Sequence, residues 1–333
     1  MRPFLACSTL AGLLALAPAV ASARPSGVAS GVAPAAVRSA IFYYAWYGTP
    51  RRDGAYVHWQ QNGAEPPRRI ASAFYPARGP YSSADTLVVS AQMREIAAAG
   101  VDEVVISWWG RGSPEDERFG PVAAAARTAG LVPAAHIEPY GGRDPASVER
   151  DIAYLRSYRV SDFYLYGAED RPGLEWAAMN DRIARPVRVF AQTGHVGVAA
   201  AGRFEGVYTY DIVTWNGAKF ARICGQARAA GLLCAPSVGP GFDARRAAGT
   251  DALKPRADGA TYDRMWSAAL GSRPDLVTIT SYNEWHEGTQ IEPARARPGY
   301  ASYDGAWGRR GADAQRAYLH RTAYWAARLE QRR

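Results

Sequence analysis

The feature that most constrains this chain is an alternation. Short apolar runs of strand length recur along its 333 residues, at 41–44, 103–108, 132–137, 163–166, 187–191, 206–210, 233–236 and 276–280. Between them lie stretches with helical character, at 83–99, 120–128, 145–157, 174–183, 217–230 and 260–270, and a long one at 312–331 closes the chain. Several are followed within two residues by glycine (Gly100, Gly130, Gly231, Gly271), the residue that best adopts the left-handed turn ending a helix. Strand–helix alternation predicts a parallel sheet. Eight short runs, apolar on both faces, predict an α/β chain folded as a single (β/α)8 TIM barrel. The fifth repeat is the weakest, because 193–203 is glycine-rich and shows no clean helix. An open doubly wound sheet is the alternative. No Gly-x-Gly-x-x-Gly follows the first strand and no Walker motif occurs, so the usual nucleotide ligands of such a sheet have no support.

The first residues stand apart from the alternation. Arg2 gives a positive start, residues 5–20 are apolar but short for a bilayer span, and Ala21-Ser22-Ala23 is a small-x-small cleavage pattern. Residues 1–23 therefore read as a secretory signal peptide, 24–38 as a flexible lead-in rich in Ala, Gly, Ser and Pro, and 39–333 as one catalytic domain. The expected product is a secreted monomer with no stable membrane association once the signal is removed. The net charge of +8 invites a nucleic-acid reading, but the basic residues are almost all arginine, with lysine only at Lys219 and Lys254, and they are dispersed along the chain. No nucleic-acid partner is expected. Cys224 and Cys234 remain after the leader, and export leaves a disulfide and two buried thiols equally open.

In a barrel the strand ends converge on one face, where active sites are built. Here they are crowded with aromatics, in a chain carrying 10 Trp and 19 Tyr. Tyr44, Trp46 and Tyr47 follow the first run, Trp108 and Trp109 end the second, Tyr166 ends the fourth, and Tyr208 and Tyr210 end the sixth. Flat rings with polar tips suit the C–H faces and hydroxyls of sugars. His136, Glu138 and Tyr140 follow the third run, and Asn283-Glu284-Trp285-His286-Glu287 follows the eighth. Glycoside cleavage needs an acid for the leaving oxygen and a second carboxyl that supports the oxocarbenium-like centre. Glu284 and Glu287, three residues apart, can project to one side and raise each other's proton affinity. Trp285 and His286 would add an apolar wall and a hydrogen-bonding group. A metal site lacks a compact ligand set: His286-Glu287 begins like His-Glu-x-x-His, but Gln290 stands where the second histidine belongs. No Gly-x-Ser-x-Gly elbow occurs, and no cofactor is expected.

Taken in order, the segments 42–50, 58–59, 104–110, 135–140, 236–243, 262–266 and 278–293 resemble glycoside hydrolase family 99, the endo-α-1,2-mannosidases and mannanases. The likeness spans about residues 40 to 330. It implies a metal-free barrel that cleaves within an α-mannoside chain, with an α-mannan or high-mannose glycan as substrate, and retains configuration. It also implies a route without an enzyme nucleophile: Glu284 draws the proton from the substrate's own 2-hydroxyl, which attacks the anomeric carbon to give a 1,2-anhydro sugar, while Glu287 serves as acid. His58 and Trp59 join the substrate-binding candidates through their segment. Bacterial members tend to carry a tryptophan near the second strand end, linked to mannan preference, and Trp109 or Trp108 fills that place here. The segments 163–170 and 208–215 match less well, which bears on Tyr166, Tyr208 and Tyr210.

Overall fold

The computed structural model describes residues 38–332, so the expected leader at 1–23 and nearly all of the lead-in lie outside the described residues. Six strands follow one another in the predicted order: β1 (Arg38–Tyr43), β2 (Glu103–Trp108), β3 (Val132–Ile137), β4 (Asp162–Leu165), β5 (Arg188–Gln192) and β6 (Gly206–Tyr208). The seventh predicted strand is two pieces, β7 (Leu233–Ala235) and β8 (Ser237–Val238), divided at Pro236. Proline has no N–H for the ladder, yet its carbonyl still accepts from Thr278 N at 3.1 Å. A two-residue hairpin, β9 (Phe242–Asp243) with β10 (Leu253–Lys254), precedes the last barrel strand, β11 (Leu276–Ile279).

All barrel pairs are parallel, in the order β7-β6-β5-β4-β3-β2-β1-β11-β8. The interrupted strand closes the ring: β7 pairs with β6, with Val207 opposite Cys234, and β8 pairs with β11, with Ser237 opposite Thr278. Parallel strands need crossovers, and each barrel strand is followed by a principal helix, Thr86–Ala98, Pro114–Thr128, Pro145–Leu155, Gly173–Asn180, Val196–Ala201, Phe220–Ala229, Ala260–Gly271 and Ala317–Glu330, with four-residue helices besides at Pro50–Asp53, Arg245–Ala248 and Gly311–Ala314. This is a (β/α)8 barrel. The weak fifth repeat has only the six-residue helix Val196–Ala201.

The boundary differences have local causes. The second-repeat helix begins at Pro114, earlier than its apolar spacing suggests, because the Ser113 hydroxyl caps Asp116 N at 3.1 Å and proline suits a first helical turn. The first helix begins at Thr86 and not at residue 83. Asp85 caps it, and the Ser83 hydroxyl instead accepts from Tyr47 N at 3.2 Å. Strand β6 stops at Tyr208 because Tyr210 has φ of 39°, outside any strand conformation. Cys224 and Cys234 are joined as a disulfide between the helix Phe220–Ala229 and β7.

Candidate active site

The loop after β11 folds back on itself. Ser281 N donates to Thr289 O at 3.0 Å, and Ile291 N returns a bond to Ser281 O at 3.0 Å. The Ser281 hydroxyl receives Glu284 N at 2.8 Å. Asn283 locks this loop to the end of β1: its Oδ1 accepts from Tyr44 N at 2.7 Å and its Nδ2 donates to Tyr44 O at 2.9 Å. The Tyr47 hydroxyl donates to Asn283 O at 3.0 Å and accepts from Trp285 N at 3.1 Å. Two loops at the carboxyl ends of neighbouring strands are thus held as one rigid unit.

That unit presents two carboxyls. Glu284 is 2% exposed, and its Oε1 accepts backbone N–H groups from His286 at 2.9 Å and Glu287 at 3.4 Å. Burial, followed by the charge of Glu287, raises its proton affinity well above the carboxylate range, and the two backbone donors work the other way. Glu287 keeps part of its surface open to the cleft. Burial, then the charges of Asp211 and Glu138, push its carboxyl up to about 7, opposed by a hydrogen bond from Tyr210. Among the described residues neither glutamate forms an ion pair with Arg or Lys. Two acids without a cation resist double ionisation, so the pair retains one proton towards neutral pH.

A cavity of about 180 Å³ opens over the pair, lined by Tyr44, Trp46, Trp109, Glu138, Tyr166 and Tyr210 among others. A second cavity of about 320 Å³ shares Tyr166, Tyr210 and Glu287 and continues over Asp211 and Phe242. Glu287 therefore stands between two spaces. The enclosed indole N–H of Trp109 has no hydrogen-bond partner among the described residues. Trp46 stacks on His58, with ring centres 4.7 Å apart, and Tyr44 and Tyr210 share a hydrogen bond between their hydroxyls. Glu138 is held by the Ser107 hydroxyl at 2.8 Å and lies 3.0 Å from His136 Nδ1. A larger cavity of about 800 Å³ lies between the helices Thr86–Ala98 and Pro114–Thr128 and includes none of the candidate residues. Among the described residues no group of three or more His, Cys, Asp or Glu side chains gathers to hold a metal ion.

Several candidates stand elsewhere than the sequence suggested. Trp108 is fully buried and bonds Asp116 at 2.8 Å on the helix side of the sheet, because strand alternation turns it away from Ser107 and the barrel interior. Of the tryptophan pair, Trp109 alone lines the cleft. Tyr140 follows Trp108 outward, bonding Ser147 at 2.9 Å and also Asp151. Trp285 is not a cleft wall: it points inward and donates to Glu292 at 2.9 Å. Trp59 and Tyr47 stack on each other 4.2 Å apart behind the loop, where Trp59 donates to Tyr81 O at 2.8 Å. Tyr208 and His136 bond each other at 2.9 Å, both buried among the rings of the barrel interior. His58 reaches the site through its carbonyl, 2.6 Å from His286 Nε2. Sequence reasoning overlooked Glu292. It is fully buried and receives Arg78 at 3.1 Å, Tyr81 at 2.8 Å and Gln92 at 2.8 Å besides Trp285. It also passed over Ser107, Ser281 and Asp211. Glu292 and Ser281 lie inside the longest matched segment, so position relative to the catalytic pair was the available signal.

With this geometry in place, comparison with known proteins is informative. The family model "Glycosyl hydrolase family 99" matches residues 36–174 and 187–331. The glycoprotein endo-alpha-1,2-mannosidase-like protein of Danio rerio is 33% identical, over 76% of this chain and 70% of its own. The glycoprotein endo-alpha-1,2-mannosidase of Xenopus laevis is 30% identical, over 76% and 69%. The solved structure of the GH99 endo-alpha-mannosidase from Bacteroides thetaiotaomicron superposes with a TM-score of 0.79 at 29% identity, covering 89% of this chain and 98% of that one. The match runs through the strands, the glutamate-bearing loop and the closing helix alike, and this chain is a glycoside hydrolase belonging to glycosyl hydrolase family 99.

Proposed function

We propose that the protein is a secreted, configuration-retaining endo-acting α-1,2-mannosidase that hydrolyses internal α-mannosidic bonds of a mannan or high-mannose glycan, with Glu284 as base and Glu287 as acid. The observation that carries this reading is the asymmetry of the two carboxyls. Both have raised proton affinity, but only Glu284 receives backbone N–H groups, which favour its anion. Burial raises Glu284 the more strongly of the two, so it is these backbone donors and the openness of Glu287 to the cleft, not the size of the shifts, that assign the shared proton to Glu287, whose affinity near 7 suits an acid at working pH. In an α-mannoside the axial 2-hydroxyl lies opposite the leaving group. A carboxylate taking its proton lets that oxygen close onto the anomeric carbon, while Glu287 protonates the departing oxygen across the ring. The cleft over both glutamates would hold the sugar that is opened, and the cavity beyond Glu287 the leaving chain. Preference for mannose over glucose in the adjacent position rests on the family resemblance, in which a tryptophan near the second strand end goes with mannan; Trp109 lines the cleft at that place. Export rests on residues 1–23 and action as a monomer on the single-barrel reading.

The test is Glu287→Gln assayed on an aryl α-mannoside with a poor leaving group. Binding survives and turnover collapses; wild-type rates would remove Glu287 from the acid role. One observation favours a second route: Glu138 lines the same cleft. If it were a nucleophile, a fluorosugar would trap a labelled carboxylate there. The expected result is no covalent adduct. Digestion of yeast-type α-mannan and of a glucosylated high-mannose glycan, followed by product sizing, decides the substrate.

A further inference from the structure

His286 lies between the two glutamates in sequence, and its ring is fixed in an unusual way. Nε2 sits 2.6 Å from the carbonyl oxygen of His58. A carbonyl only accepts, so Nε2 must carry the hydrogen. Burial lowers the affinity of the ring for a second proton to about 4, and that of neighbouring His58 to about 4 as well. Neutral at working pH, the His286 ring then has a bare Nδ1. That lone pair faces Glu284 Oε1 at 3.5 Å. The rings of Trp46, Tyr47 and His58 pack around it, with centres 5.5 to 5.8 Å away. The other ionisable groups bearing on Glu284 are Glu287 and Glu138, both acidic, and Tyr44, Tyr47 and Tyr210 are phenols neutral at this pH.

A bare ring nitrogen offers nothing to a carboxylate anion, since two lone pairs meet. It accepts a hydrogen bond as soon as the carboxyl gains a proton. We infer that His286 is a positioning residue for Glu284, held as the Nε2–H tautomer so that its Nδ1 accepts a hydrogen bond from the Glu284 carboxyl once that carboxyl has taken the substrate's proton. This rests on the proposed role of Glu284 as base. In the first step the O–H bond of the 2-hydroxyl breaks, and its hydrogen goes to Glu284. The freed electron pair forms the O2–C1 bond, and the C1–O bond to the leaving chain breaks as that oxygen takes the Glu287 proton. In the second step water attacks C1 and the C1–O2 bond breaks; Glu287 takes a proton from the water, and the hydrogen stored on Glu284 returns to O2. One water is consumed and both glutamates are restored. The hydrogen bond to Nδ1 exists only in the interval between these steps, so it favours the strained intermediate and not the resting enzyme.

The experiment uses an α-mannosyl fluoride, whose leaving group needs no acid. Glu287→Gln should still release fluoride in a first-step burst and Glu284→Gln should not. His286→Phe should lose about tenfold in kcat, the worth of one such hydrogen bond, with KM little changed. The acid limb of its kcat/KM profile should move to lower pH while the alkaline limb stays. Nitrogen-15 NMR of the intact wild-type protein, with the His286 signal identified by its loss in the variant, should show a bare Nδ1 and a protonated Nε2 across pH 5–8. A protonated Nδ1, or an unmoved acid limb in a folded His286→Phe, overturns the inference. If His286→Phe does not fold, His286→Gln identifies the signal instead, and the tautomer measured in the wild type decides. A Glu284→Gln variant still active on the fluoride would instead remove the base assignment beneath it.

Discussion

Three glutamates fall within nine residues of one loop and live in opposite surroundings. Glu292 is fully buried but accepts four hydrogen bonds, one from the Arg78 guanidinium, which also pairs with Glu95 at 2.9 Å. Burial raises its carboxyl, and Arg78, Gln92 and Tyr81 pull it back. Glu284 and Glu287 have no such cation and face a cleft. A carboxylate paired with a cation holds structure, whereas two carboxyls without one and open to a ligand are left free for chemistry. Raised proton affinity alone does not distinguish the two. Glu103, at the opposite end of the barrel, is pushed to about 8 by burial and by Asp162, yet no cavity described here opens on it, and its partner is Tyr164 at 2.7 Å. What separates the catalytic pair is the shift together with access.

The comparison breaks first at the chemistry. Glu284→Gln and Glu287→Gln should each lower kcat on an aryl α-mannoside by about 10²- to 10⁴-fold, with melting temperature unchanged or raised. Glu292→Gln should do the reverse in kind. Removing one partner of a buried ion pair costs about 3–5 kcal/mol, a fall on the order of 10 °C in a domain this size, and activity per folded molecule should drop far less than in the other two. Thermal melts beside single-temperature kinetics check both halves. If Glu292→Gln melted like wild type, its role as the anchor of the loop would be wrong.

A finer contrast appears with pH. The affinity of Glu287 is raised in the folded state, to about 7. The native protein therefore binds this proton more tightly than the unfolded chain does. The associated stability is present in acid and lost as pH climbs through 7. The ionised Glu287 is a burden above that point, so Glu287→Gln should be more stable than wild type at pH 8 and closer to it at pH 5. The same proton is needed for catalysis, so wild-type kcat/KM should fall as pH rises past 7. Melting curves of both proteins at the two pH values, with a pH–rate profile, test the sign. A Glu287→Gln variant less stable at pH 8 than at pH 5, relative to wild type, would contradict it.

How much of this was readable beforehand follows the same divide. The barrel was legible because each strand is apolar on both faces and helices alternate with them. The catalytic pair was legible because it stands at the last strand end. Which neighbours face the sugar was not. Tyr140, Trp108 and Trp285 look like cleft aromatics in sequence, but pleating turns Trp108 outward and the tight loop 281–291 turns Trp285 inward. Glu292, followed by proline, reads as an ordinary loop residue. Its four donors come from Arg78, Tyr81, Gln92 and Trp285, all but the last some 200 residues away. Interactions at that separation leave no local pattern. The arginines were misleading only in bulk: many pair with acids or cap carbonyls, as Arg256 does with Gly288 O at 2.9 Å.

The adjacent tryptophans allow the smallest test. Trp108 and Trp109 differ by one residue and face opposite sides of the sheet wall. Trp108 is enclosed, with its N–H bonded to Asp116, so Trp108→Ala leaves a cavity and takes one donor from Asp116, which keeps Gly112 N at 2.9 Å. A loss of about 3–5 kcal/mol follows from the cavity alone. Trp109 is half-buried with a free N–H beside the cleft, so Trp109→Ala should leave the melt nearly unchanged. Its effect belongs to the ligand: a stacking face and one hydrogen bond, about 1–2 kcal/mol together, or roughly 5- to 30-fold in KM for mannan. Trp109→Tyr retains a ring and a hydroxyl and should recover part of the affinity. Because the tyrosine hydroxyl lies elsewhere than the indole N–H, it should also narrow the preference for mannose over glucose in competition with a glucosylated glycan. Equal KM values for Trp109→Ala and wild type would mean that the sugar chain leaves the cleft on the other side of Glu287, over Asp211 and Phe242, without touching the second strand end at all.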